Sequence, residues 1–255
     1  MYQHYDISNE AYADFDVTIT HQRKWYKPQA MFYFDDFAPF LPLPANQDFA
    51  MLEWGLNWCY ANHANDLLSF HAAVLARNNQ AVIFPGFPGA GKSTLTAELM
   101  FNHWQLLSDE MTLINEESMI LPSPRPVSLK NQSIEIIRNR YPDAVLTESA
   151  FDTAKGTVAH LMPKVEEIDA ASCAVHACAV VFPEYKANSE LITQELDKAE
   201  TLVFLAEQGF NYHILGEEGY RRLSTIIENC ACYSLVYSEL DSATGWLNTL
   251  VESSQ

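Results

Sequence analysis

The residues Gly86-Phe87-Pro88-Gly89-Ala90-Gly91-Lys92-Ser93 fit the phosphate-cradling pattern GxxxxGK[ST] at every fixed position. In such a loop the glycines let successive backbone N–H groups turn inward onto phosphate oxygens. Lys92 would reach the β- and γ-phosphates, and the Ser93 hydroxyl would take one position on Mg²⁺. The chemistry implied is that of a nucleoside triphosphate, with Gly86, Gly89, Ala90, Gly91, Lys92, Ser93 and Thr94 as its contacts. The competing reading is a glycine-rich turn with an incidental lysine. The apolar run over 80–85 and the helical run over 93–100 argue against it. A strand entering and a helix leaving place a helix N-terminus behind the anion.

An acidic pair, Asp109-Glu110, follows Lys92 by seventeen residues, at the end of the apolar segment 105–108. That is a position from which a carboxylate meets Mg²⁺ or the attacking nucleophile in phosphoryl transfer. Strand alternation predicts that only one of the two faces the phosphates. The spacing does not say which is base and which is metal ligand. His71 lies fifteen residues before Gly86, close enough along a hairpin to stand beside the phosphate-binding strand. A lone strand histidine is more often a hydrogen-bonded core residue. Arg125 and Lys130 flank a proline-stiffened turn, and Lys155 stands beside Gly156, so these three cations are candidates for substrate or phosphate contact. Each could equally be a solvated charge. His160 reads as structural.

The chain must gather cations deliberately, because it has 15 Lys and Arg against 33 Asp and Glu, a net charge of −18. That balance excludes a nucleic-acid partner, whose phosphates need basic surface. No apolar segment is long enough to span a bilayer and none reads as an N-terminal signal, so no membrane partner is expected. Five cysteines, an odd number without zinc spacing, read as free thiols of a cytoplasmic protein.

The elements that must position these residues read as α/β. Strands are expected over 15–20, 30–34, 67–76, 81–85, 105–108, 157–161, 174–182 and 232–237. Helices are expected over 46–60, 93–100, 129–140, 199–208, 217–229 and 242–252. On the first helix, Phe49, Leu52, Leu56 and Cys59 or Tyr60 share one face. A tight turn at 77–80 makes the chain enter the phosphate loop from a β-hairpin rather than from a βαβ unit. Residues 66–255 are expected to form one domain, with 1–65 as a β-rich extension packed on it.

Several segments together resemble a known family. Phe70-His71-Ala72-Ala73-Val74-Leu75, the phosphate loop and Leu106-Leu107-Ser108-Asp109-Glu110 are similar to the kinase domain of HPr kinase/phosphorylase. Leu52-Glu53-Trp54-Gly55-Leu56-Asn57-Trp58-Cys59, Arg125-Pro126-Val127-Ser128-Leu129-Lys130-Asn131 and the segment 153–161 resemble its HPr-kinase-related branch of the kinase A type. Phe210-Asn211-Tyr212 belongs to the same likeness.

The resemblance implies the fold of the HPr kinase and phosphoenolpyruvate carboxykinase nucleotide domain, a mixed β-sheet with flanking helices. It also implies ATP, Mg²⁺ and transfer of the γ-phosphoryl group to a hydroxyl, foremost serine. Carried over, His71 matches the active-site histidine, Lys92 and Ser93 the phosphate and metal contacts, and Asp109 the catalytic carboxylate. Glu110 is then left for the metal, beside Ser93. Where HPr kinase has two aspartates this chain has Asp109-Glu110, and the acceptor stays open among a protein, a peptide and a small molecule. A nucleotide-dependent regulatory module, or a phosphorylase or phosphatase on the same acceptor, would use the same residues. Self-association is left open.

Overall fold

The computed structural model describes residues 1–8, 12–24, 27–87, 89–169, 171 and 173–253. Pro88 of the phosphate loop lies outside them. The centre is a six-stranded mixed sheet in the order β14-β15-β13-β6-β5-β7. Its strands are β5 (Ala72–Arg77), β6 (Gln80–Pro85), β7 (Gln105–Ser108), β13 (His176–Tyr185), β14 (Ile192–Glu195) and β15 (Ala231–Tyr237). β13 runs parallel to both β6 and β15, whereas β5 is antiparallel to β6 and β7. The expected hairpin entry is therefore present. Its turn uses Asn78 and Asn79, both at positive φ (53° and 62°), the mirror-image geometry that matches the twist of two-residue hairpins.

The apolar run of β6 is buried on both faces, as a central strand demands. Val82 and Phe84 pack with Leu95 and Leu99 of α2 (Lys92–Phe101) and with Leu247 and Val251 of α8 (Leu240–Glu252). Ala81 and Ile83 point the other way, against Leu205 of α5 (Lys198–Glu207) and Leu223 and Ile227 of α7 (Glu217–Asn229). The layer order is thus helix, sheet, helix, with the period-two alternation of one strand dividing two cores.

Three small sheets surround this centre. β1 (Val17–Lys24), β2 (Lys27–Phe34) and β3 (Leu43–Pro44) form the first, and α1 (Asp48–His63) lies on it. Gly55 permits that approach: a Cβ there would lie 2.1 Å from the Phe32 ring. The buried residues of α1 are Ala50, Met51, Glu53, Gly55 and Cys59; of the expected face, Cys59 is buried and Leu52 packs half-buried beside it, whereas Phe49 and Leu56 are not among the buried residues. The helix is covered on two sides, which no single stripe describes. β4 (Leu68–Phe70), β8 (Thr112–Ile114) and β9 (Ile120–Leu121) make the second small sheet. β10 (Val127–Lys130), β12 (Gly156–Leu161) and β11 (Ala150–Thr153) make the third.

Two further boundaries differ from expectation. The run 67–76 is broken at His71 into β4 and β5, which belong to different sheets. Leu129 and Lys130 are strand, and helix α3 begins only at Gln132–Arg140, because residues 127–130 pair with β12 and tertiary pairing overrides local propensity. No helix among the described residues is long and apolar enough to cross a membrane.

Candidate functional site

Between the phosphate loop, β10, α3 and the C-terminal ends of β13 and β15 lies an open cavity of about 1070 Å³. Gly89, Ala90, Gly91, Lys92, Ser93 and Thr94 form one wall of it. Gly91 caps α2 in the left-handed region (φ 89°), and a Cβ there would lie 2.9 Å from Tyr237 Oη and 3.0 Å from Tyr185 Cβ. The Tyr185 N–H donates to Ala90 O at 3.0 Å and Tyr237 Oη to Gly91 O at 3.4 Å, so two strand ends brace the loop. The α2 N-terminus opens into the cavity through Lys92, Ser93 and Thr94, where its dipole favours an anion. Lys92 Nζ donates to the carbonyl of Gly86, which itself is not part of the cavity wall. Burial lowers the Lys92 ammonium below its usual range, with Asp109 pulling the other way.

Asp109 and Glu110 both line the cavity, which corrects the expectation that only one would. β7 ends at Ser108, so the pair lies in a bend past the strand, where alternation no longer applies. Their surroundings differ. Asp109 is 7% exposed, and its Oδ2 accepts from the Ser128 N–H at 2.9 Å. Burial, and then the charge of Glu110, push the Asp109 carboxyl up to about 6. Burial opposes ionisation of Glu110 too, but Lys130 and Lys155 outweigh it and hold that carboxyl down at about 2. Glu110 Oε1 meets Lys130 Nζ at 3.1 Å and Lys155 Nζ at 3.6 Å, and Oε2 accepts from Asn57 Nδ2 at 2.9 Å. One neighbour is a carboxylate near its titration range; the other is fully ionised and tied to two lysines.

His71 sits at the break between β4 and β5, next to the position where Ala72 pairs with Pro85, and it lines the cavity. Burial, then Lys92, hold its imidazole below the usual value. Lys130 and Lys155 line the cavity as well, whereas Arg125 does not. Arg125 turns toward α1, pairing with Glu53 at 3.4 Å, donating to Asn57 Oδ1 and lying 5.9 Å from the Tyr60 ring centre. Lys155 lies 5.5 Å over the ring of Trp54.

Residues of α1 thus build the support behind Glu110, and the sequence reading did not assign them to the site. Glu53 and Asn57 are spaced i, i+4 in the stretch 49–61 of α1, which is otherwise apolar, a signal that two polar groups share one inward face. Burial pushes the Glu53 carboxyl up while Arg125 draws it down, and Tyr2 Oη donates to its Oε1. On the far side of the cavity stand Ile136, Asn139 and Arg140 of α3, with Leu240 and Tyr185. Hard oxygen donors, Ser93 Oγ and the acidic pair, gather beside Lys92, and that donor set suits Mg²⁺.

No protein-family description and no curated protein matches this chain. Among solved structures, the HPr(Ser) kinase/phosphatase of Coxiella burnetii matches over 72% of this chain and 94% of its own. The identity is 14% and the TM-score 0.34, a weak likeness at the level of fold alone.

Proposed function

We propose that this chain is an ATP-dependent, Mg²⁺-assisted phosphotransferase, built on a nucleotide domain of the HPr kinase and phosphoenolpyruvate carboxykinase type. It would move the γ-phosphoryl group to a hydroxyl, foremost serine, of a protein, a peptide or a small molecule. One observation carries the reading: Lys92, Ser93, Asp109, Glu110, Lys130 and Lys155 come from four separate stretches of chain and line a single cavity at a helix N-terminus. Residues 66–255 hold the phosphate loop and both carboxylates, and 1–65 act as an extension whose α1 supports Glu110.

The loop amides and Lys92 would hold the triphosphate, leaving Gly86 O for a phosphate oxygen. Lys130 and Lys155 are held by Glu110 here, and phosphate oxygens are the stronger partners for both. Their transfer to the nucleotide would free Glu110 to hold Mg²⁺ together with Ser93. Bound there, Mg²⁺ would offset phosphate charge. Asp109, with a carboxyl near neutrality, suits the removal of a hydroxyl proton. His71, kept neutral beside Lys92, would contact the transferring group without adding charge. Positioning and charge stabilisation would supply most of the rate.

The test has two arms. Titration with ATP and Mg²⁺ should show binding that Lys92→Ala weakens. Incubation with γ-labelled ATP and a cell extract should label an acceptor on serine. Binding without any transfer would replace this reading by a nucleotide-dependent regulatory module. Release of label from a phosphorylated acceptor by inorganic phosphate would add the phosphorylase direction.

A further inference from the structure

Beside the main cavity lies a second space of about 20 Å³, lined by residues of α1, the bend at 109–110, the segment 123–126 and strands β10 and β12. It shares Asp109, Glu110 and Ser128 with the main cavity. Five residues that line it each carry a buried side-chain atom without a hydrogen-bond partner among the described residues: Trp54 Nε1, Asp109 Oδ1, Arg125 Nε, Ser128 Oγ and His160 Nε2. Asp109, Ser128 and His160 are each more than nine-tenths buried. Leaving one such group unsatisfied costs about 1–3 kcal/mol, so five around one space call for an occupant.

We propose that this chamber is a built site for one water molecule, which joins His160 to Asp109 and makes His160 a positioning residue for that carboxylate. The chemistry of the five atoms selects water. Trp54 Nε1–H and Arg125 Nε–H can only donate, which is wrong for a cation. Asp109 Oδ1, with Glu53 and Glu110 in the same wall, is wrong for an anion. An apolar occupant would satisfy none of them. A volume of this size holds about one water, which makes two to four hydrogen bonds. Two donations, to Asp109 Oδ1 and His160 Nε2, and two acceptances, from Trp54 Nε1 and Arg125 Nε, use its full capacity. The Ser128 hydroxyl stays outside those four bonds.

With Oδ2 on the Ser128 N–H and Oδ1 on the water, the Asp109 carboxylate cannot rotate away from Ser93. His160 is itself fixed at its backbone, where its N–H donates to Thr147 Oγ1 at 2.9 Å and its carbonyl accepts from the Thr147 N–H at 2.9 Å. Burial lowers its imidazole to about 4, so it is neutral at pH 7, and in the Nδ1–H tautomer Nε2 accepts. The presence of the water is independent of the phosphotransfer reading; its effect on rate rests on it.

The test begins with a high-resolution crystal structure of the full chain and ¹⁵N spectra of its histidines. We expect one ordered water within roughly 2.7–3.2 Å of Asp109 Oδ1 and His160 Nε2, and a ¹⁵N shift that marks His160 Nε2 as unprotonated at neutral pH. His160→Leu should empty the site and lower the turnover of ATP on the order of tenfold, with KM for ATP within about twofold. His160→Gln, which restores a polar atom near Nε2, should recover most of that loss. Trp54→Phe, which keeps a ring under Lys155 but has no N–H, should lose water order and a smaller part of the rate, and serves if His160→Leu does not fold. A dry chamber in a chain that turns over ATP overturns the water site alone. Equal rates for His160→Leu and wild type, or no recovery with Gln, overturn the positioning role. A chain that holds the water but binds no ATP overturns the phosphotransfer reading and leaves the site in place.

Discussion

The phosphate-loop wall of the cavity comes from consecutive residues, Gly89 to Thr94, and presents mainly backbone. The opposite support comes from Glu53, Asn57, Glu110, Arg125, Lys130 and Lys155, drawn from α1 and from separate later stretches of chain and joined to one another by side-chain bonds. The first wall is held by local geometry and the braces of Tyr185 and Tyr237. The second is held by compensating charges, each of which would be costly to bury alone. Damage to the first should therefore remove function and leave the fold, whereas damage to the second should alter both.

The largest effect expected is at Lys92. Lys92→Ala should abolish measurable transfer and weaken ATP binding by about a hundredfold or more, since it removes the loop's own cation from a chain of net charge −18. Calorimetric titration and label transfer measure it, and its thermal midpoint should stay within a few degrees of wild type. A large drop in midpoint would erase the contrast between the walls.

Asp109 stands between the two and should separate rate from stability. Asp109→Asn should lower turnover about a hundredfold while sparing ATP affinity. It should also make the protein more stable at pH 7. The folded carboxyl, at about 6, lies above its ordinary value of 3.8, so the folded state binds the proton more tightly. Stability is then lost as pH rises from about 4 through 6. The asparagine escapes that loss, worth about 1–3 kcal/mol at pH 7 and nothing below about pH 4. Denaturant melts of both proteins at the two pH values test the sign.

Glu110→Gln should raise the Mg²⁺ concentration for half-maximal rate by about tenfold and leave Lys130 and Lys155 less tightly held. Turnover against Mg²⁺ at saturating ATP decides this. If Glu110→Gln instead stops turnover while Asp109→Asn shifts only the Mg²⁺ dependence, the two carboxylates exchange roles. The smallest effect should come from Gly55→Ala, which forces α1 off the Phe32 ring. We expect about 1–3 kcal/mol of lost stability with a severalfold fall in activity, because Asn57 moves with the helix.

The contrast between the walls also explains what could be read in advance. A phosphate loop is a contiguous pattern whose glycines encode its backbone, so the hairpin before it is legible, and Gly89 to Thr94 share one cavity wall while Gly86 stands outside it. Asp109 and Glu110 were found by spacing, yet their shared orientation was not, because it depends on β7 stopping at Ser108. Arg125 reads as a site cation with Lys130 because both flank a proline-stiffened turn, and only the fold turns it onto Glu53. Glu53, Asn57 and Trp54 belong to the likeness but have no task legible in the sequence, since their side-chain partners lie 51 residues or more away. The helix drawn too early at Leu129 failed for the same reason: the strand partner of residues 127–130 is at 158–161.

The bracing of Gly91 by Tyr185 and Tyr237 carries one more consequence, in the time domain. A loop whose carbonyls are bonded by the ends of two central strands shares their opening events, so the Tyr185 amide, which donates to Ala90 O, should exchange with deuterium on the slow clock of the sheet. Anything seated on the loop would then register at a distance, as slower exchange at the ends of β13 and β15, strands that contribute little else to the cavity.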